Sequence, residues 1–229
     1  MKDVWHLSEV DWLSELSAEE KDSLREKSFR RRYEVGEIVF MPAPNPESIY
    51  LLEDGLVRIY RLSEGGLETT LGYVRQGEVF GELAVFGDYP RESFAQAVDP
   101  SMVWKIPRRT FQPYVASRPG LAFAVSKQIG ERLKRIESRV ENLVFRDVRS
   151  RLIMILLELA SEFGQDRDDG STLLDVHITQ AELATLVGST RQSVNAGLGE
   201  LTEHGLIARE GRQLVLMKPT ELRQEARSS

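Results

Sequence analysis

The stretch from Thr179 to Glu203 places the tightest constraint on how this chain folds, because its pattern indicates two short helices that meet at a glycine. Apolar residues recur at helical spacing on both sides of Gly188, so the two helices can bury a shared face. Gly188 suits the positive φ that ends a helix, and Ser189 or Thr190 can cap the next one. The pattern predicts a helix-turn-helix.

The first turns of the second helix carry side chains suited to reading base edges. Arginine suits guanine, and glutamine or asparagine suits adenine, in the major groove of DNA. The alternative is an αα-hairpin with only a structural role, because an apolar pattern with a glycine at the turn is common in helical domains. The residues that we expect to face DNA are Ser189, Thr190, Arg191, Gln192, Ser193 and Asn195.

The segment from His204 to Met217 favours the DNA-binding alternative. Its pattern predicts two short strands around a turn at Glu210 and Gly211, and such a hairpin makes the winged form of the motif. Arg209 and Arg212 flank the turn, where both can reach phosphates. They complete the predicted DNA interface.

Composition excludes several classes of site. The chain has 229 residues with 41% hydrophobic and 29% charged side chains, which is ordinary for a globular protein of two modest domains. The absence of cysteine excludes disulfides, cysteine metal ligands and a cysteine-bound iron–sulfur cluster. The histidines, at His6, His177 and His204, lie outside the strand-rich region, so neither haem nor another metal is expected.

Charge and hydropathy bear on location and partners. The net charge of -6 argues against a protein that coats nucleic acid indiscriminately, but not against local, sequence-specific binding. Apolar runs fall short of the roughly 20 residues of a membrane span, and the amino terminus does not match a secretory signal. We therefore expect a cytoplasmic protein without a membrane partner.

Residues 29–106 differ in pattern from the rest of the chain. Short runs rich in Val, Ile, Tyr and Phe alternate with glycines and prolines, which is typical of an antiparallel barrel or roll. Before this region, Ser17 and Glu20 form a capping-box pattern at the start of a short helix. Examples of the predicted strands are residues 37–40, 48–52, 56–60, 68–73 and 101–106.

A long helical pattern begins at Pro119. Its apolar residues are spaced by threes and fours with charged residues between them, as in a two-stranded coiled coil. The alternative is a helix packed on its own barrel, but the strongly polar remaining faces favour a homodimer. The predicted dimer seam consists of Leu121, Val125, Ile129, Leu133, Ile136, Val140 and Leu143.

Together these patterns predict an α+β fold with three parts. Residues 1–118 form an antiparallel β-roll sensor domain with N-terminal helices, and residues 119–144 form the dimerisation helix. Residues 145–229 form a winged helix-turn-helix DNA-binding domain, in which residues 148–163 are an amphipathic helix, 165–171 a loop and 173–178 a strand.

This order of parts resembles the cyclic-AMP receptor protein, or Crp–Fnr, family of bacterial transcription regulators. The resemblance covers nearly the whole chain and includes the motifs at 77–83, 142–148 and 188–194. It implies a homodimeric activator that binds a palindromic promoter site in double-stranded DNA, with RNA polymerase as a further partner. An enzyme is not expected, because the chain has no Gly-x-Ser-x-Gly, no P-loop and no His/carboxylate cluster at metal spacing.

The resemblance also implies an effector site for cyclic AMP. In cyclic-nucleotide-binding members, the glutamate of a Gly-Glu-Leu motif meets the ribose hydroxyl and a later arginine pairs with the cyclic phosphate. Gly81, Glu82, Leu83 and Arg91 match these positions. Glu92 stands where the family favours serine, and its carboxylate would repel a phosphate unless it turns away.

The residues of the long helix that would cover a bound effector are compatible with more than one effector. The polar residues that contact adenine from the dimer helix are replaced by Ile136 and Glu137. The cyanobacterial nitrogen regulator of the same family, which binds 2-oxoglutarate, has an arginine and a glutamate that match Arg132 and Glu137. These two can also be a solvated helix pair. Cyclic AMP is the favoured effector, with 2-oxoglutarate or no effector as alternatives.

Overall fold

The computed structural model describes residues 11–83, 87 and 89–228. The chain divides into two compact units, residues 1–134 and 135–229. Within the described ranges, every helix is too short or too polar to cross a membrane. The same ranges contain no group of three or more His, Cys, Asp or Glu side chains that could hold a metal ion.

In the described part of the N-terminal unit, two short helices come first, α1 (Asp11–Ser14) and α2 (Ala18–Glu26). The hydroxyl of Ser17 accepts a hydrogen bond from the Glu20 backbone N–H at 3.2 Å. The Glu20 carboxylate accepts one from the Ser17 backbone N–H at 2.8 Å. The predicted capping box is confirmed, and it satisfies two N–H groups that the first turn of a helix leaves without partners.

Two four-stranded antiparallel sheets follow, as the sequence predicts. The first has the order β1-β8-β3-β6 and the second the order β2-β7-β4-β5. Side chains from both sheets share one apolar core, so the two sheets form a β-roll. The strands are β1 (Phe29–Tyr33), β2 (Ile38–Phe40), β3 (Ser48–Asp54), β4 (Val57–Leu62), β5 (Glu68–Val74), β6 (Val79–Phe80), β7 (Phe94–Ala97) and β8 (Ser101–Pro107).

Strand β3 is covered on both faces. Tyr50 and Leu52 point into the core between the sheets. Ile49 and Leu51 point the other way and pack with apolar residues of the surrounding helices. Because side chains alternate across a strand, this double burial explains why β3 is a continuous apolar run rather than an alternating one.

Strands β1, β6 and β7 were not predicted. Strand β1 carries three consecutive arginines, a composition that argues against a strand in sequence analysis. Arg30 forms a bidentate pair with Glu53, with both N–O distances at 2.7 Å, and the Trp104 indole N–H donates to the same carboxylate at 2.8 Å. The buried carboxylate of Glu53, on β3 of the same sheet, thus pairs with the positive charge of Arg30 on β1.

The long helix begins at Pro119, as predicted. Helix α3 (Arg108–Ser117) precedes it, and α4 (Pro119–Phe145) runs for 27 residues. Leu121 and Val125 are fully buried in the core of the N-terminal unit, and Ile129 packs against that core. The prediction of a dimer seam is therefore wrong for Leu121 and Val125, because these side chains are already buried within their own chain.

The C-terminal unit contains a third four-stranded sheet, of order β11-β12-β10-β9. Residues 164–166 form a strand, so the predicted loop at 165–171 begins later than expected, and the strand predicted at 173–178 covers only 172–174. Strand β9 was missed because all its residues are exposed and polar or glycine. The elements are α5 (Val148–Phe163), β9 (Gly164–Asp166), β10 (Thr172–Leu174), α6 (Gln180–Val187), α7 (Arg191–Glu203), β11 (Ile207–Glu210), β12 (Gln213–Leu216) and α8 (Pro219–Ser228).

Two glycines inside α7 have different surroundings. A Cβ atom on Gly197 would lie 2.9 Å from Cδ2 of Leu152, a fully buried residue of α5. A Cβ atom on Gly199 would meet nothing within 4 Å. Gly197 thus allows close packing of α7 on α5, whereas Gly199 has no such packing role.

Alanine substitutions at these two positions should have different effects. Gly199→Ala should raise the free energy of unfolding by up to about 1 kcal/mol, because alanine is the better helix former. Gly197→Ala should lose this gain, because overpacking against Leu152 costs about 1–3 kcal/mol. Urea unfolding monitored by circular dichroism measures both variants. Equal stabilisation by the two substitutions would contradict the close packing at Gly197.

Candidate DNA interface and effector site

The helix-turn-helix is built by local capping. Thr179 and Glu182 form a capping box at the start of α6, with hydrogen bonds of 3.2 and 2.8 Å. Gly188 ends α6 in the left-handed conformation, with φ 66° and ψ 47°. Of the two predicted caps for α7, Thr190 is the one used, because its hydroxyl accepts from the Ser193 backbone N–H at 3.1 Å. The predicted motif is confirmed.

Neighbouring helices fix the turn at Gly188. Arg151 on α5 donates to the carbonyl oxygens of Val187 at 2.9 Å and of Gly188 at 3.3 Å. These contacts satisfy carbonyl groups that the end of a helix leaves without partners. A Cβ atom on Gly188 would lie 2.4 Å from Cδ2 of Leu143 on α4, so a side chain here would displace Leu143 in addition to straining the positive φ.

The residues predicted to read DNA lie together at the N-terminal end of α7. The opposite face of the helix is buried through Val194, Leu198 and Leu201. The predicted set is therefore directed away from the core, as base reading requires. Ser189 is half-buried, and the exposed residues are Thr190, Arg191, Gln192, Ser193 and Asn195.

A residue outside the predicted set contacts two of these side chains. The Gln180 amide nitrogen donates to Oδ1 of Asn195 at 2.7 Å. The Gln180 amide oxygen accepts from Nε of Arg191 at 3.5 Å, a long hydrogen bond. Sequence analysis missed Gln180 because it belongs to the first helix of the motif. The only signal was its position as the first residue of α6, directly after the capping threonine.

The wing forms as predicted, with its turn between β11 and β12. Arg209 and Arg212 flank the turn and are exposed. Glu210, which lies between them, forms a bidentate ion pair with Arg167 at 2.7 and 2.8 Å. The Arg167 guanidinium holds the pKa of the Glu210 carboxyl below its usual value. Sequence analysis missed this pair, which compensates the one acidic charge at the turn.

In the N-terminal unit, Arg91 lies inside the β-roll beside Gly81. Its Nη2 donates to the carbonyl oxygens of Ser48 at 2.7 Å and of Gly81 at 3.3 Å. Its guanidinium carbon lies 4.1 Å from the ring centroid of Phe40 and 5.4 Å from that of Tyr50. Burial lowers the pKa of Arg91, and Tyr50 and Glu82 oppose this shift.

Gly81 makes room for this guanidinium. It has φ 70°, and a Cβ atom there would lie 2.8 Å from Nη2 of Arg91 and 3.3 Å from Cε1 of Phe40. Any other residue would be strained and would displace Arg91. The close approach of Arg91 and Phe40 therefore explains why the Gly-Glu-Leu motif begins with a glycine.

Glu82 is buried and contacts Arg132 on α4. Nη1 of Arg132 donates to the Glu82 carboxylate at 3.2 Å, and Nη2 donates to the Val79 carbonyl oxygen at 2.6 Å. Glu78 lies 3.5 Å from the same guanidinium. The alternative of a solvated pair between Arg132 and Glu137 is therefore wrong, because the guanidinium is directed to β6 and Glu82.

The remaining predicted effector residues are placed differently. Leu83 is 54% exposed, although it follows Glu82 directly. Ile136 and Glu137 belong to the C-terminal unit, where both side chains are exposed. The structure thus brings together Gly81, Glu82, Arg91 and Arg132.

Glu92 does turn away from Arg91. Its carboxylate forms an ion pair with Arg61 on β4, and both side chains are exposed. The repulsion that Glu92 would exert on an anion beside Arg91 is thereby reduced.

Comparisons with known proteins agree with this architecture. The family model described as "Cyclic nucleotide-binding domain" matches residues 30–118, and the one described as "Crp-like helix-turn-helix domain" matches residues 150–225. The β-roll and the winged helix-turn-helix therefore define a DNA-binding transcription regulator with a cyclic-nucleotide-binding domain, not an enzyme.

Individual similar proteins indicate the family within this class of transcription regulator. The global nitrogen regulator of Synechococcus elongatus is 33% identical over 85% of this chain and 88% of its own. The CRP-like cAMP-activated global transcriptional regulator of Mycobacterium tuberculosis is 31% identical over 84% and 85%. The solved structure of a CooA mutant from Carboxydothermus hydrogenoformans has a TM-score of 0.77 at 26% identity, covering 97% and 98% of the two chains. The chain belongs to the Crp–Fnr family, as its motifs predict.

The contact between Arg132 and Glu82 can be tested by a double-mutant cycle. Arg132→Met should lower the free energy of unfolding by about 1–3 kcal/mol, because it leaves a buried carboxylate without its charged partner. In the Glu82→Gln background the same change should cost less. Lys134→Met, at an exposed position two residues away on α4, is the matched control and should have little effect. Equal losses in both backgrounds, measured by urea unfolding, would show that the two side chains do not interact.

Proposed function

We propose that this protein is a homodimeric transcription activator whose sequence-specific DNA binding is controlled by cyclic AMP in the β-roll. Glu82 and Arg91 are the principal effector contacts. The observation that carries this proposal is the environment of Arg91, whose half-buried guanidinium is surrounded by carbonyl oxygens and aromatic rings.

An anion suits this environment. Carbonyl and aromatic contacts solvate a cation but do not neutralise its charge, and a buried charge is costly unless it is paired. A phosphate can accept two parallel hydrogen bonds from a guanidinium and brings a negative charge to it.

The carboxylate of Glu82 suits the ribose. A carboxylate accepts hydrogen bonds from hydroxyl groups, and Arg132 orients Glu82 by its contact at 3.2 Å. The name of the Mycobacterium tuberculosis relative, a cAMP-activated regulator, supports the same effector for this chain. Ile136 and Glu137 are proposed to lie near the bound base, following the family resemblance.

A second candidate effector is 2-oxoglutarate. The observation in its favour is Arg132, a second guanidinium, which is directed at β6 and Glu82. Two cations suit a dicarboxylate better than they suit a single phosphate. The similarity to the global nitrogen regulator of Synechococcus elongatus supports this alternative. The two candidates differ in their dependence on Arg91 and Arg132.

Effector titrations test the proposal. Cyclic AMP should bind in calorimetry and tighten promoter binding by the factor by which DNA tightens cyclic AMP binding, since coupling is reciprocal. Arg91→Leu should abolish both effects, whereas the exposed control Arg109→Leu should leave both unchanged. A response to 2-oxoglutarate that is lost in Arg132→Ala or Glu137→Ala would favour the second candidate. If promoter affinity is the same without ligand, with either ligand and with both, the protein is an effector-independent regulator.

The exposed seam of α4 supports the homodimer. Its residues recur at intervals of three and four and project from the helix beyond the part buried in the N-terminal unit. Leu133 is 53%, Ile136 38%, Val140 55% and Leu143 48% exposed. Exposed apolar side chains in one line are typical of a protein–protein contact, and a second copy of the helix would cover them.

A symmetric dimer would present two copies of α7 to DNA. The two helices would enter successive major grooves about 34 Å apart and bind a palindromic site. RNA polymerase is the further partner that we propose at such a promoter.

Substitutions on α4 test the dimer. Ile136→Glu should place two carboxylates against each other in the seam and weaken association by several kcal/mol, about 3–5 by analogy with an unpaired buried charge. Ser138→Glu adds the same charge at an exposed position two residues away and should leave the dimer intact. Sedimentation equilibrium measures both. A wild-type monomer at micromolar concentration, or an Ile136→Glu dimer as stable as that of the control, would contradict a dimer seam on α4.

A further inference from the structure

We propose that Gln180 is a positioning residue that determines which base Asn195 reads. The inference rests on the proposed sequence-specific DNA binding and deepens it. Gln180 connects the two helices of the motif through its hydrogen bonds to Asn195 and Arg191, at 2.7 and 3.5 Å. It sets the direction of the Asn195 amide.

The direction follows from the donors and acceptors available. A guanidinium has only donors, so the Gln180 amide must present its oxygen to Arg191. The Gln180 amide nitrogen then faces Asn195 and donates to it. Asn195 must therefore turn its oxygen back towards Gln180. The polarity of one arginine thus fixes the orientation of two amides.

The base preference of Asn195 changes as a result. An asparagine reads adenine by accepting from N6 and donating to N7 through the same amide. With Oδ1 turned to Gln180, Asn195 offers only its nitrogen, a donor, to a base edge. Guanine presents two acceptors in the major groove, N7 and O6. We therefore expect guanine, and not the adenine that asparagine alone suggests, at the base pair read by Asn195.

Gln180 is held where it can impose this orientation. It is the first residue of α6, directly after the capping box of Thr179 and Glu182, so its backbone is fixed. Its side chain is half-buried, whereas Arg191 and Asn195 are exposed. The Glu182 carboxylate is engaged by the backbone and hydroxyl of Thr179, both at 2.8 Å. The two readers on α7 are thereby ordered before DNA binds.

In vitro selection from a random duplex library tests the inference. The full-length protein is used with saturating cyclic AMP, with saturating 2-oxoglutarate and with neither. Asn195→Ala identifies the base pair that Asn195 reads, because preference there is lost. Wild type should select guanine at this position. Gln180→Met, which keeps the size but not the hydrogen bonds, should weaken that preference about 5-fold or more, at the low end expected for one base contact.

Gln180→Glu should reverse the preference. The introduced carboxylate only accepts, so it still pairs with Arg191 but now requires the amide nitrogen of Asn195. Oδ1 of Asn195 would point to the DNA, and selection should shift to a base with an amino group, adenine or cytosine. The added negative charge weakens binding to every sequence alike, so the ratio between sequences remains informative. Affinity for random DNA checks that Gln180→Met is folded.

The outcomes separate the inference from the proposed function. Adenine at the Asn195 position in wild type, or one unchanged preference in both Gln180 variants, would overturn the role of Gln180 and leave sequence-specific binding intact. The role of Gln180 would also fail if Asn195→Ala altered no position. If wild type selects no sequence under any of the three conditions, sequence-specific DNA binding itself is wrong.

Discussion

The helical repeat of α4 is the constraint on which much of the structure depends. With about 3.6 residues per turn, a residue's direction is set by its place in the helix. Leu121, Val125 and Arg132 fall on one face, so the same face that is buried in the apolar core also delivers a guanidinium to Glu82. The exposed seam residues continue the same stripe further along the helix, beyond the part that is buried in the N-terminal unit. A one-residue insertion before Arg132 would rotate it by about 100° and remove it from Glu82.

Local pairing of charges, not the net charge of -6, decides what each site offers a ligand. In the roll, Arg132 pairs with Glu82 and Arg61 with Glu92, while Arg91 receives carbonyl and aromatic contacts. At the wing, Arg167 pairs with Glu210 and leaves the neighbouring arginines facing solvent. An acidic protein can thereby present cationic groups at two separate places. The same principle removes the apparent conflict between a negative net charge and DNA binding.

Sequence analysis succeeded where the signal is local and failed where it is not. The helix from 148 to 163 and the turn at Gly188 were predicted because periodicity, caps and a left-handed glycine all lie within a few residues of each other. Strand β1 was missed because three consecutive arginines argue against a strand, and the partner of Arg30, Glu53, lies 23 residues away in the sequence. The Gly-Glu-Leu motif was recognisable, but the orientation of Glu92 depended on Arg61 in another strand.

The sequence by itself determined the order of the main parts of this protein, its capped helices and its family, because capping, periodicity and motifs are properties of neighbouring residues. Tertiary structure decided which partner each long side chain finds. Periodicity shows that α4 has an apolar face but not what covers it, and only the packed roll shows that Leu121 and Val125 are covered from within. In the same way, the sequence predicted Asn195 as a base reader, while the tertiary structure decided, through the hydrogen bond from Gln180, which end of its amide turns towards α6.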